Sequence, residues 1–219
     1  MTDYSARTHR CYCCGKNSEH SVLVSSNSFG SPDLDQRPPE MFRSTIQSWL
    51  QECPDCGYVA PNIEKGDASA CTFLDTSEFR AAALEPALDP DVRRFLVRAA
   101  YDAYVEDRRS AFQHTLAAAW VADDRKQTAE ASELRLRAAK YLAGGNIRSI
   151  DLRLRLLDAL RRASNWTAAE ALIVELVAER LEYPFAEIIA FHRSKIAAGD
   201  PGRYTIEQAL DGKREPITF

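Results

Sequence analysis

Two short stretches decide the fold: Cys11-Tyr12-Cys13-Cys14-Gly15 and Cys53-Pro54-Asp55-Cys56-Gly57. Each carries a Cys-x-x-Cys pair closed by glycine. Four thiolates in two such pairs suit a tetrahedral metal centre, and the donor set points to structural zinc. The closing glycine has a physical reason. A chelating pair sits on a tight turn, and glycine takes up positive φ without a Cβ penalty, which lets backbone amides face the sulfurs. The expected ligands are Cys11, Cys14, Cys53 and Cys56. Cys13 is a rival to Cys14, which is preferred because the glycine after it makes the first turn match the second. Four thiolates leave no open coordination position, which argues against hydrolytic metal chemistry. Iron is the competing metal, because paired knuckles of this kind also resemble rubredoxin, and a four-cysteine iron site carries electrons.

Around the knuckles the composition changes. Residues 1–70 hold five of the six cysteines and are rich in Ser, Pro, Asn and Asp, whereas Ala, Leu, Arg and Glu dominate from Asp75 onward. This predicts a small four-cysteine domain over 1–70 and a helical domain over 71–219, joined by a connector at 60–67. In the first part, Ser21–Ser25 and the alternating stretch Thr45–Gln51 read as strands, the second leading into Cys53. Pro39 and Glu40 offer the start of a short helix instead.

Helical periodicity carries the rest. Asp75 with Glu78 resembles a capping box for a helix reaching Leu84. Asp89-Pro90 supplies an N-cap and an N1 proline. The apolar stripe Val92, Phe95, Leu96, Ala99 follows, and then Phe112, Thr115, Leu116, Ala119, Trp120. A third stripe, Ala131, Leu134, Ala138, Tyr141, Leu142, ends at Gly144-Gly145. Asn146, Asn165, Pro184 and Thr205 are the expected starts of later helices. Short connections imply antiparallel neighbours. Trp166 is followed at three, seven and ten residues by Ala169, Ile173 and Leu176, which resembles part of a tetratricopeptide repeat.

The remaining signals limit function. Net charge is −4 and the pI is near 5.7, so no overall positive field draws the chain to nucleic acid or anionic lipid. The N-terminal residues are polar, and the apolar run Leu116–Ala122 is too short to span a bilayer, so a cytoplasmic location is expected. There thiols stay reduced, and Cys13 and Cys71 read as free thiols. Arg10 and Lys16 near Cys13 would favour its oxidation. His9 and His20 flank the first knuckle but are not needed as ligands. His192 continues an apolar stripe and reads as a satisfied core histidine, and His114 lies off its stripe and reads as solvated. The interspersed arginines read as solvated helix faces. The loop Asp33-Leu34-Asp35-Gln36-Arg37 closes Asx-turns and is a candidate interaction loop through Asp33, Asp35 and Arg37, meeting a partner or the helical domain.

The stretch from Cys11 to Pro61 resembles a bacterial family of uncharacterised proteins, domain-of-unknown-function family 2225. The two knuckles carry the likeness, with Ser31-Pro32-Asp33-Leu34-Asp35, Arg37-Pro38, and Trp49 ahead of Cys53-Pro54-Asp55-Cys56-Gly57-Tyr58. Cys13 departs from the pattern. The resemblance implies a bacterial cytoplasmic protein with a four-cysteine zinc site and tetratricopeptide-like helices, and it carries no activity.

Together these readings predict an α+β, mostly α chain. A small zinc-ribbon or rubredoxin-like β domain precedes an antiparallel, tetratricopeptide-like helical array. The expected role is a non-enzymatic, zinc-binding interaction or scaffold module with a protein partner. A rubredoxin-like iron electron carrier and a zinc-ribbon nucleic-acid-binding regulator are the alternatives.

Overall fold

Each knuckle is the tip of a β-hairpin. The computed structural model describes residues 2–84 and 89–211. Strands β1 (Asp3–Arg10) and β2 (Asn17–Ser25) pair antiparallel with Arg10 opposite Asn17, so the first knuckle is the loop between them. Strands β3 (Gln51–Glu52) and β4 (Val59–Ala60) pair with Glu52 opposite Val59, so the second knuckle closes a hairpin in the same way. Strand β2 contains the expected Ser21–Ser25 and begins four residues earlier. Its partner β1 was not expected, because most of its residues are exposed and it lacks the alternation that marks a half-buried strand.

The stretch read as a strand over Thr45–Gln51 is corrected. It is a 3₁₀ helix, Arg43–Ser48, with β3 beginning only at Gln51. Bonds from Thr45 N to Phe42 O and from Trp49 N to Ile46 O close three-residue turns. Arg43, Thr45 and Ile46 are buried, so burial does not follow the strict alternation of a strand. The Trp49 indole donates to Thr45 Oγ1 at 2.8 Å and its ring stacks on Phe42.

The helices are α1 (Ala68–Phe73), α2 (Ser77–Ala83), α3 (Pro90–Tyr104), α4 (Arg108–Asp124), α5 (Thr128–Leu142), α6 (Ile150–Arg162), α7 (Trp166–Ala178), α8 (Phe185–Ala197) and α9 (Ile206–Leu210). The predicted stripes are the buried faces: Val92, Phe95, Leu96 and Ala99 on α3, and Phe112, Thr115, Leu116, Ala119 and Trp120 on α4. Asp89, Asn165 and Thr205 cap as expected, Thr205 with Gln208 in a full capping box. Two caps are corrected. Thr76 rather than Asp75 caps α2, and Ser149 rather than Asn146 caps α6, each side chain accepting an amide three residues on.

One turn recurs between helices. Glu106, Lys126 and Ser164 take positive φ. The next residue in each case donates its amide five residues back: Asp107 to Asp102 O, Gln127 to Ala122 O, Asn165 to Leu160 O. This is the Schellman bond, here made by non-glycine residues. Asp107 and Asn165 then serve as N-caps of the next helix, so one residue ends one helix and starts another. A three-residue link of this kind folds consecutive helices back on each other, as the short connections predicted.

Packing divides the chain into two compact units, Met1–Ser28 with Glu40–Leu142, and Phe29–Pro39 with Ala143–Phe219. The composition boundary at 70 is a change of secondary structure, and packing continues through it. The 60–67 stretch is likewise no free connector. Ile63 is fully buried, its amide donates to Gln51 Oε1, its carbonyl accepts from Tyr12 N, and Asp67 caps α1.

The second unit contains buried charge. Arg161, read as solvated, is fully buried. Its guanidinium donates to Asp158 and to the carbonyls of Asp200 and Gly202, which secures the chain after α8. Beside it His192 is fully buried, but the expectation that a core histidine here would be satisfied is corrected. Neither ring nitrogen has a hydrogen bond, and Nδ1 lies 3.9 Å from Asp158. Burial holds the imidazole neutral, and the nearby Arg161 charge adds to this, pushing its pKa down to about 3. Burial raises the Asp158 carboxyl, against the pull of Arg161.

The sign of the resulting pH effect follows. Below the ordinary histidine pKa near 6.5 the unfolded chain takes up a proton that the folded chain refuses, so His192 withdraws stability as pH falls. Substitution His192→Leu removes this element and leaves Asp158 in place. The stability of wild type relative to H192L is expected to drop by about 1.4 kcal/mol between pH 7.5 and pH 5.5, measured by urea unfolding at both values. A difference independent of pH would show that the imidazole is not held neutral.

Candidate metal centre

The two hairpin tips have the same local structure. In the first, Cys11 N donates to Lys16 O and Gly15 N to Cys11 O, both at 2.9 Å. In the second, Cys53 N donates to Tyr58 O and Gly57 N to Cys53 O, again at 2.9 Å. Gly15 and Gly57 adopt φ of 73° and 74°. The left-handed glycine reverses the chain so that the amide two residues beyond the second cysteine faces its sulfur. The Lys16 amide reaches Cys14, and the Tyr58 amide reaches Cys56. Such N–H···S contacts orient the ligands and offset their charge.

The tips face each other. Cys11 Sγ lies 3.6 Å from Cys56 Sγ and Cys14 Sγ lies 3.6 Å from Cys53 Sγ, and all four sulfurs fall within 4.8 Å of one another. A tetrahedron with metal–sulfur bonds of about 2.3 Å has edges of about 3.8 Å. The cluster therefore has the dimensions of a tetrathiolate site, and its residues fit a bound metal ion. Cys11 and Cys53 are buried while Cys14 is exposed, so the centre is covered on one side only. The Lys16 amide draws the Cys14 thiol pKa down, whereas burial pushes those of Cys53 and Cys56 up. A metal would displace the protons that burial keeps on these two sulfurs. Lys16 Nζ bridges the tips to Asp55 at 2.6 Å, and Arg10 Nε donates to Gly15 O, which places two cations beside the thiolates.

Cys13 is not in the cluster. Residues i and i+3 of the turn converge, and i+2 points away from them. Cys13 reaches α1 and is joined to Cys71 in a disulfide, with Cα atoms 5.1 Å apart. The expectation of two free thiols is corrected here. It rested on a reducing cytoplasm, and no local pattern in the sequence places Cys71, on the six-residue helix α1, beside Cys13.

The histidines are placed elsewhere. His9 is buried and its Nδ1 donates to Gln51 Oε1 at 2.9 Å, the atom that also accepts Ile63 N. His20 bonds Ser18. His114 is not simply solvated: its Nδ1 meets the buried carboxylate of Asp102 at 2.5 Å, and Arg98 Nε donates to the other oxygen of that carboxylate.

The loop Asp33, Asp35, Arg37 is buried, and it packs within the second unit. Of its two expected roles, contact with the helical part is the one its bonds support. Leu34 N donates to Tyr204 O and Ile206 N to Pro32 O, and Asp35 closes an Asx-turn on Arg37 N while accepting from Arg162. A buried Asp35 and Arg37 leave little of this loop for an external partner.

No family model, no curated protein and no solved structure matches the chain.

The two glycines separate conformation from crowding. A Cβ on Gly57 would lie 2.9 Å from Phe79 Cζ, while one on Gly15 would meet nothing nearer than Arg10 Nη2 at 3.5 Å. Both substitutions to alanine incur the left-handed penalty of about 1–2 kcal/mol. Gly57→Ala also displaces an aromatic ring, at about 1–3 kcal/mol more. In metal-loaded protein, G57A is expected to unfold at lower denaturant than G15A. Equal midpoints would mean that Phe79 does not pack on the second knuckle.

Proposed function

We propose that this chain is a zinc-binding protein acting as a non-enzymatic interaction or scaffold module in the bacterial cytoplasm. The observation that carries the proposal is the clustering of four cysteine sulfurs within 4.8 Å. An all-thiolate, tetrahedral donor set favours zinc, and with four protein ligands a bound ion offers no position to water or substrate. Held rigid by such an ion, the two hairpins become a fixed surface. Within each unit the helices joined by Schellman turns supply further faces, and we read them as tetratricopeptide-like, a kind of array that commonly presents binding faces. A protein partner suits these surfaces better than nucleic acid. The net charge is −4, and many arginines are engaged with carboxylates, among them Arg93 with Glu52 and Arg153 with Glu179. Among the described residues no helix is long and apolar enough to cross a membrane.

The test is the metal content of the untagged protein by mass spectrometry. About one zinc per chain is expected, lost in Cys14→Ser and in Cys56→Ser and retained in Cys13→Ser. Iron in place of zinc would replace the scaffold reading with a rubredoxin-like electron carrier. A folded protein without metal would overturn the proposal.

A further inference from the structure

The pair Cys13 and Cys71 has a position that a purely structural cross-link does not require. Cys13 stands between two metal ligands, Cys11 and Cys14. Cys71 lies on α1, which is held by contacts that involve no metal. Phe73 is buried and packs edge-on against Phe79 and Tyr101, and the Tyr101 hydroxyl donates to Asp67, the cap of α1. The link therefore joins a knuckle to an anchored part of the fold. Both cysteines are only half-buried, so thiols and disulfides in solution can reach them.

We propose that Cys13 and Cys71 form a dithiol–disulfide redox site whose closure slows the loss of metal from the four-cysteine centre. The part that concerns metal rests on the metal reading above. The chemistry is ordinary exchange with a small-molecule disulfide as oxidant. One cysteine thiolate attacks the oxidant and expels one thiol, and the second then attacks the mixed disulfide and expels the other. Two electrons and two protons pass from the pair to the oxidant, leaving one new S–S bond and two reduced thiols. A dithiol reductant reverses it.

The effect on metal comes from chain connectivity. With the link open, the covalent path between Cys14 and Cys53 is the 39 positions of sequence that separate them. With the link closed, a second path runs from Cys14 through Cys13 and Cys71 back to Cys56. It includes the fifteen positions from Cys56 to Cys71, the last four of which belong to α1. The probability of loop closure falls as about the three-halves power of loop length, so this shortening alone raises the local concentration of one half-site at the other about fourfold. A half-released metal is then recaptured more often before it escapes.

The experiment uses full-length, zinc-loaded protein equilibrated either with oxidised glutathione or with a phosphine reductant. Thiols are mapped by alkylation and mass spectrometry, and zinc release into excess chelator is followed with a colorimetric indicator. Oxidation is expected to remove Cys13 and Cys71, and no other cysteine, from the alkylatable set. The oxidised protein should release zinc at least about fourfold more slowly than the reduced protein. In Cys13→Ser and in Cys71→Ser both preparations should release at the reduced rate. Equal rates in the oxidised and reduced wild type would overturn the proposal, as would a difference that persists in the serine variants. A chain that never takes up zinc or iron overturns the metal reading as well, and is recognised before any release is measured.

Discussion

Four thiols drawn from two hairpins do not gather without something to hold them. Cys14 and Cys53 are 39 residues apart, so bringing them together sacrifices chain entropy. Burial also holds the sulfurs of Cys53 and Cys56 in their protonated form. A tetrahedral cation held by these four sulfurs would offset both, since apparent zinc binding by structural sites reaches about 10–16 kcal/mol at neutral pH and is shared with folding. The β3–β4 pair has two residues in each strand, and isolated hairpins are marginal in water even when longer. The hairpins of the first unit are tied further by the Lys16–Asp55 ion pair between the knuckles, the Tyr12 to Ile63 hydrogen bond to the 60–67 stretch and the Cys13–Cys71 link to α1.

The helical parts obey a different constraint, the satisfaction of backbone groups at helix ends. Schellman turns return terminal amides to earlier carbonyls, and Asp, Asn, Ser and Thr caps take up the first amides of the next helix. After α8, which ends in the same kind of turn through Asp200 N and Lys195 O, carbonyls further along the chain are satisfied by buried charge. Arg161 satisfies carbonyls of Asp200 and Gly202, and its own charge is met by Asp158. Such buried pairs contribute little net stability when intact. Removing one member leaves an uncompensated buried charge and costs about 3–5 kcal/mol. The neighbouring His192 makes this region sensitive to acid, since its neutral form alone suits the site.

Much of this was legible in the chain. The knuckles are visible because a chelating pair is a four-residue pattern and its glycine marks the turn. The stripes on α3 and α4 are visible because a long amphipathic helix repeats its apolar residues several times. The misses have equally definite causes. Strand β1 is mostly exposed, so it shows no alternation. The 43–48 segment has β-prone residues, and its three-residue hydrogen bonds won through the contacts of Trp49. The Schellman residues Glu106, Lys126 and Ser164 are not glycine, so no local signal marks them. Asp102 and His114 are twelve residues apart on different helices, and their pairing exists only once α3 and α4 pack.

Sequence by itself thus determined which four cysteines cluster, the helical faces and the caps Asp89, Asn165 and Thr205. Each of these depends on neighbours within about one or two turns of chain, where spacing translates directly into geometry. Tertiary structure alone decided that Cys13 meets Cys71, that Asp33 and Asp35 are buried against residues near 204 rather than displayed, and that Arg161 and His192 share one buried site. Those outcomes depend on segments remote in sequence arriving at the same place. No local periodicity encodes that arrival. It follows from which faces must be buried and which buried charges must find partners.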